Sequence, residues 1–168
     1  SGVHIESHTR LEGPLFIGKN TKILGGKISA SSIGAHCKVS GEVSQSVISS
    51  YSNKAHPGFL GHSYVGEWSN LGAGTTTSNL KNTYGPVSIS REGQRVDTMQ
   101  QFLGSLIGDH VKTGIQTSLT TGCSIGFGSM VFGTEIHQKE IFPFSWGSSS
   151  SYTHVALEKF ITTAEKMM

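Results

Sequence analysis

Two histidines, His56 and His62, stand six residues apart in the stretch from Ser52 to Asn82, and two asparagines, Asn70 and Asn79, follow them. A neutral imidazole is the side chain best matched to taking a proton near neutral pH, because its unperturbed pKa is about 6.5. His56 precedes Phe59, which the hydrophobic period assigns to an inward position, and its own hexad is otherwise small or apolar. The bland alternative is an exposed imidazole on a flat face, the usual case in a chain with eight histidines. Asn70 leads into Leu71-Gly72-Ala73-Gly74-Thr75, a run small enough for another molecule to lie flat against it. An asparagine both donates and accepts hydrogen bonds, which suits gripping an amide-rich ligand, although it is also a common turn and ladder residue. Gly72-Ala73-Gly74 by itself is a weak phosphate-loop signal, since no helix follows it. Lys54, Lys81, Arg91, Arg95 and Lys112 surround this zone, and a phosphorylated substrate would need about two such cations.

The elements that must position these residues follow from a period of six. Ile5, Leu11, Ile17 and Ile23 are spaced by six, as are Val47, Asn53, Phe59, Val65, Leu71 and Thr77, and again Ile107, Thr113, Leu119, Ile125 and Val131. Glycine follows several of them, as in Ile17-Gly18, Ile33-Gly34, Val65-Gly66 and Leu71-Gly72. Six matches neither an amphipathic helix nor an alternating strand. It fits a short strand and a turn, repeated so that one aliphatic per hexad points into a narrow prism and Gly or Asn takes the turns. The expectation is an all-β parallel β-helix over residues 1–136. Residues 80–106 break the hexads and are expected as an extruded, hairpin-like loop. Residues 137–168 are expected as a connector and a C-terminal α-helix from His154 to Met168, capped by Ser151 or Thr153.

Composition sets limits on partners. Only 14% of the 168 residues are charged and the balance is +2, which supplies no basic footprint for nucleic acid and no polybasic run for a membrane. No apolar run approaches spanning length and no signal peptide opens the chain, so a cytoplasmic location is expected. Cys37 and Cys123 lie far apart and read as reduced thiols. His56, His62 and His110 show no metal-ligand spacing, and no metal is expected. Such a prism has no internal cavity, so a site belongs on its outside, most naturally between prisms of a symmetric oligomer.

With these residues in place, the chain resembles the acetyltransferase part of GlmU-type bifunctional sugar-1-phosphate nucleotidylyltransferase/N-acetyltransferases. The likeness is carried by His56-Pro57-Gly58-Phe59-Leu60-Gly61, Val65-Gly66-Glu67, Asn70 to Thr75, Asn79-Leu80, Arg95-Val96-Asp97-Thr98 and Leu106 to Gly126. It implies a left-handed β-helix, a homotrimer with sites between subunits, and a nucleotidylyltransferase domain lying N-terminal to this stretch. The implied reaction moves acetyl from acetyl-CoA to the amine of an amino-sugar 1-phosphate, typically glucosamine 1-phosphate. It casts His56 as general base with Asn79 beside it. Lys54, Phe59, Asn70 and Lys81 fall to the substrate, and Ala73 and Asp109 to acetyl-CoA. The sequence departs from the family at Asn53, where a lysine is common, at Phe59, where a tyrosine is, at His62, where an aspartate is, and at Asn79-Leu80-Lys81-Asn82. A β-helix that only trimerises and regulates an attached domain is the alternative, and O-acetylation of a hydroxyl uses the same fold and base.

Overall fold

The structure is a computed structural model that describes residues 1–168. Short strands stack in parallel on three faces of a prism. Face I carries Phe16–Ile17, Ser32–Ile33, Val47–Ile48, Tyr64–Val65, Leu106–Ile107, Ser124–Ile125 and Glu140–Ile141. Face II carries Asn53–Lys54, Asn70–Leu71, Lys112–Thr113, Met130–Val131 and Ser145–Ser148, and face III carries Phe59–Gly61, Thr76–Thr77 and Ser118–Leu119. Two longer strands, Lys22–Ser29 and Lys38–Ser44, bend from face II onto face III. The fold is the expected left-handed parallel β-helix with an extruded loop and a C-terminal helix. No helix is long and apolar enough to cross a membrane.

Each face sends one column inward. Ile33, Ile48, Val65, Ile107, Ile125 and Ile141 stack from face I, and Ile28, Val43, Leu60 and Leu119 from face III. Buried Ser and Thr hydroxyls stitch successive coils. Ser52 Oγ donates to Gly66 O at 2.6 Å and accepts from Ser69 N at 3.0 Å. The phase differs by one residue from the period read in the sequence. Ile48, Lys54 and Leu60 point inward, while Val47 is exposed and Asn53 and Phe59 are half-exposed on the outside. The coil shortens between Leu60 and Val65, so counting back by six from Val65 lands on the wrong neighbour each time.

The turns also differ from expectation. Bulky residues hold most of the left-handed corners, among them His36, Tyr51, Trp68 and His110, each with φ near +60°. The glycines that follow the aliphatics serve a different need. A Cβ on Gly34 would sit 2.5 Å from Ser50 N, and one on Gly72 would sit 2.5 Å from Gly114 O. Those glycines are there because neighbouring coils approach too closely for a side chain.

The loop expected over residues 80–106 leaves from face III and is docked. Its hairpin pairs Ser88–Arg91 with Gln94–Asp97. The Glu140 carboxylate accepts from Ser90 Oγ, Glu92 N and Gly93 N, and these bonds pull its pKa below the usual carboxylate value. Parallel pairing continues past residue 136, through Glu140–Ile141 and Ser145–Ser148, so the expected boundary at 136 falls inside the β-helix. Ser151 and Thr153 belong to a strand antiparallel to Ser145–Ser148, not to a helix cap. The helix is shorter than expected, Leu157–Met167, with Ala156 at its N-cap. It lies along the edge between faces I and II. There the buried Phe160 ring meets His110, Phe127 and Phe144 at 5.2–5.6 Å between centroids.

Candidate functional site

His56 occupies the edge where face II turns into face III. The strand Asn53–Lys54 ends two residues earlier and Phe59–Gly61 begins three residues later, so the imidazole rides on a corner. Its ring is exposed and makes no hydrogen bond within the chain. The next coil places Gly72-Ala73-Gly74 at the same edge, joined by Gly74 N donating to Pro57 O at 3.1 Å. A Cβ on Gly58, whose φ is +135°, would stand 2.1 Å from Thr75 O, so only glycine allows these corners to meet. Gly72 N donates to Thr113, leaving the Ala73 N–H as the one amide of this run without an acceptor. The corner thus offers one free base and one free backbone donor, the two groups that acyl transfer requires.

Lys54 is not available to a substrate. Its side chain takes the inward slot of its hexad and is 2% exposed. The ammonium donates to His56 O at 2.6 Å and Ser40 O at 2.9 Å, with no carboxylate nearby. Burial pushes its pKa down to about 8. Gly41 leaves the room it needs, because a Cβ there would be 3.0 Å from Lys54 Nζ. The assignment of Lys54 to substrate is therefore corrected: the residue braces the His56 corner from inside.

Face III carries an open groove of about 470 Å³, lined among others by Phe59, Thr76, Ser78, Asn79, Ser118 and Ile136, and no charged side chain lines it. The row of hydroxyls and amides is suited to a polyhydroxylated ligand. At its far end the Asn79 amide donates through Nδ2 to His62 Nδ1 at 2.8 Å, and the His62 ring stacks on Phe102 at 5.2 Å. Burial holds the His62 pKa below its ordinary value. Lys81 lines the adjoining depression, and its ammonium donates to Pro86 O at 2.6 Å.

The remaining residues lie elsewhere. Asn70 pairs in register with Asn53 and Lys112 on face II, beside Tyr51 and Trp68. Asp109 sits at the edge between faces I and II and accepts from Glu67 N at 2.8 Å. One chain therefore gathers His56 with Ala73 at one edge and Phe59 with Asn79 on the adjoining face, while Asn70 and Asp109 point away. His56, His62 and His110 occupy three different edges, so they cannot share an ion within one chain. The sequence reading missed Thr76, Ser78, Ser118 and Thr120 of the groove. Their spacing from the inward Thr77 and Leu119 would have revealed them as outward neighbours on one face.

Comparison with known proteins locates this arrangement. No family model matches the chain. The bifunctional protein GlmU of Methanococcus vannielii is 35% identical over 102 residues, 61% of this chain and 24% of that protein. The bifunctional sugar-1-phosphate nucleotidylyltransferase/acetyltransferase of Sulfurisphaera tokodaii is 32% identical over 100 residues, 60% of this chain and 25% of that protein. Over that stretch the chain is similar to GlmU-type proteins. It spans about a quarter of the length of the curated relatives it matches. In structure the GlmU-like prism resembles AntD, an N-acyltransferase from Bacillus cereus solved with dTDP and 3-hydroxybutyryl-CoA. There the TM-score is 0.58 at 14% identity, covering 98% of this chain and 85% of that one. The UDP-N-acetylglucosamine O-acyltransferase of Moraxella catarrhalis gives a TM-score of 0.51 at 13% identity, covering 98% and 76%. At such identities the likeness is one of fold.

Proposed function

We propose that this chain is an acetyl-CoA-dependent acyltransferase acting on the amine of an amino-sugar 1-phosphate, with glucosamine 1-phosphate the acceptor to test first. The observation that carries the reading is the free His56 imidazole on the edge it shares with the unpaired Ala73 N–H, bordering a groove of hydroxyls and amides on face III. The names of the relatives and the acyl-CoA in the AntD structure support the choice of donor and acceptor.

The neutral acceptor amine attacks the thioester carbonyl carbon, forming the C–N bond. His56 takes the proton that the nitrogen sheds, and the Ala73 N–H donates to the oxyanion. The tetrahedral adduct collapses with cleavage of the C–S bond. The CoA thiolate leaves and recovers a proton from the His56 imidazolium, so the products are the amide and free CoA. Phe59 forms an apolar wall for the sugar, Asn79 reads its polar groups, and Lys81, in the depression adjoining the groove, is the cation for the phosphate.

Asn70 and Asp109, on other faces, find a role in a homotrimer, where they border a site on the neighbouring prism, Asp109 toward acetyl-CoA and Asn70 toward the sugar. The name of the Sulfurisphaera tokodaii relative couples a nucleotidylyltransferase to an acetyltransferase, which supports a nucleotidylyltransferase domain as a further part of the same protein. In assays with acetyl-CoA and glucosamine 1-phosphate, His56→Ala should lower kcat by about a hundredfold or more. An unchanged kcat would sink the base assignment, and a wild type that fails to bind acetyl-CoA in calorimetry would favour a purely trimerising role.

A further inference from the structure

The hydrogen bond between Asn79 and His62 fixes more than a side-chain position. An amide nitrogen can only donate, so a bond from Asn79 Nδ2 to His62 Nδ1 requires that nitrogen to be unprotonated. The neutral ring then carries its proton on Nε2, and Asn79 Oδ1, which has no partner within the chain, is left for the groove that Asn79 lines. We propose that His62 sets the polarity of the acceptor groove. By accepting from the Asn79 amide it holds the Asn79 carbonyl oxygen toward the groove, so the group seated there must be a hydrogen-bond donor, and protonation of His62 reverses the choice.

Two features show that the pair is built rather than incidental. A Cβ on Gly61 would stand 2.3 Å from the Phe59 ring and 2.8 Å from Asn79 Nδ2, so the missing side chain makes the space in which wall and amide meet. The His62 ring is held in place by its stack on Phe102. The groups that face it are the Phe102 ring, the Asn79 amide, Ser44 O, which accepts from His62 N, and Gly104 N, which donates to His62 O. None of these titrates, and burial alone keeps the ring neutral to lower pH than a free histidine.

The consequence rests on the acceptor reading given above. A neutral primary amine has two N–H groups and one lone pair. One N–H can be held by Asn79 Oδ1 while the lone pair attacks and the second proton goes to His56. A hydroxyl has a single proton, and giving it to Asn79 withholds it from the base. When His62 is protonated its Nδ1 becomes a donor, Asn79 must turn its oxygen toward the ring, and its NH2 then either opposes the amine's hydrogens or ties up the lone pair that must attack. His62 is thus a positioning residue that separates amines from hydroxyls without touching either.

The test reads the tautomer directly. Protein labelled with 15N-histidine gives imidazole correlations in which His62 is the signal lost in His62→Phe, a variant that keeps the stack on Phe102. At pH 7.5 the wild type should show His62 neutral with its proton wholly on Nε2, and Asn79→Ala should relax it toward the tautomer mixture of a free histidine. A proton on Nδ1 in the wild type, or a spectrum unchanged in Asn79→Ala, overturns the proposal. Acceptor affinity supplies the second arm. Between pH 8 and 5.5 glucosamine 1-phosphate should lose about tenfold more affinity for the wild type than for His62→Phe, the range of one hydrogen bond. Protonation of the acceptor's own amine is common to both proteins and drops out of the comparison. Equal losses overturn the polarity role, whereas an acceptor that binds neither protein overturns the acceptor reading and leaves the spectrum to decide His62.

Discussion

His56 and His62 belong to the same coil and flank the same strand, yet their surroundings are opposite. At the His56 end the backbone is locked and the side chain is free. Glycine corners interlock, a buried ammonium grips the His56 carbonyl, and the exposed ring above them makes no hydrogen bond. At the His62 end the ring itself is locked, by a stack and an amide, and the backbone is braced only by the ladder. A proton carrier needs a nitrogen free to gain and lose a proton, so rigidity must be supplied below it. A residue that orients another needs one fixed tautomer, so rigidity must be supplied around its ring. The contrast teaches that residue type says little about role here; what is immobilised says more.

Two glycines allow each end to be broken separately. Gly58→Ala attacks the His56 end through backbone, since its Cβ would stand 2.1 Å from Thr75 O at a φ of +135°. Neither atom can swing aside, and a loss of about 3 kcal/mol or more in denaturant unfolding is expected, with activity falling alongside it. Gly61→Ala attacks the Asn79 end through side chains, because the atoms in its way are the far edge of the Phe59 ring and the Asn79 amide. Those can move, so stability should fall by only about 1 kcal/mol. Acceptor KM should nevertheless rise about tenfold while acetyl-CoA binding holds. If Gly61→Ala cost as much stability as Gly58→Ala, the distinction between locked backbone and locked ring would collapse.

The difference also explains what the sequence could convey. The period of six was legible because the prism admits only one inward residue per short strand, and that made the fold and the excursion readable. Phase was not legible around His56. The shortened step from Leu60 to Val65 shifts the register, which hid Lys54 in the interior and left Phe59 outside. A lysine one residue from Asn53 reads as a surface cation in any linear scheme, since buried unpaired ammonium groups are rare. The likeness to GlmU proteins cast His56 and Asn79 as catalytic and Ala73 with Asp109 toward acetyl-CoA, but only the folded backbone shows that the Ala73 N–H is free while Gly72 and Gly74 spend theirs. The His62 pairing was invisible because it joins residues on different coils, and the position offered no period to betray it.

Lys54 gives the finest way to sharpen the contrast, because it makes the His56 end pH-dependent from beneath. Its pKa falls from 10.5 in the unfolded chain to about 8 in the prism, a burial penalty on the order of 3 kcal/mol. The sign follows from proton counts. Below about pH 8 both states hold the proton and the penalty is constant. Between about pH 8 and 10.5 the unfolded chain keeps the proton that the folded chain has shed, so stability rises with pH through that window. Buried Cys123, with its thiol pushed up to about 12, acts in the opposite direction at alkaline pH, so the wild-type curve alone does not isolate Lys54. Lys54→Met fills the same inward slot without a charge and leaves Cys123 untouched. It removes two donors from Ser40 O and His56 O, which offsets much of the relief at neutral pH. The expected result is therefore a difference that changes with pH. The stability of Lys54→Met relative to the wild type should fall by about 1–2 kcal/mol between pH 8 and 10 in urea titrations. A difference that stays flat would mean the ammonium is solvated rather than enclosed, and the His56 corner would then lose its internal brace.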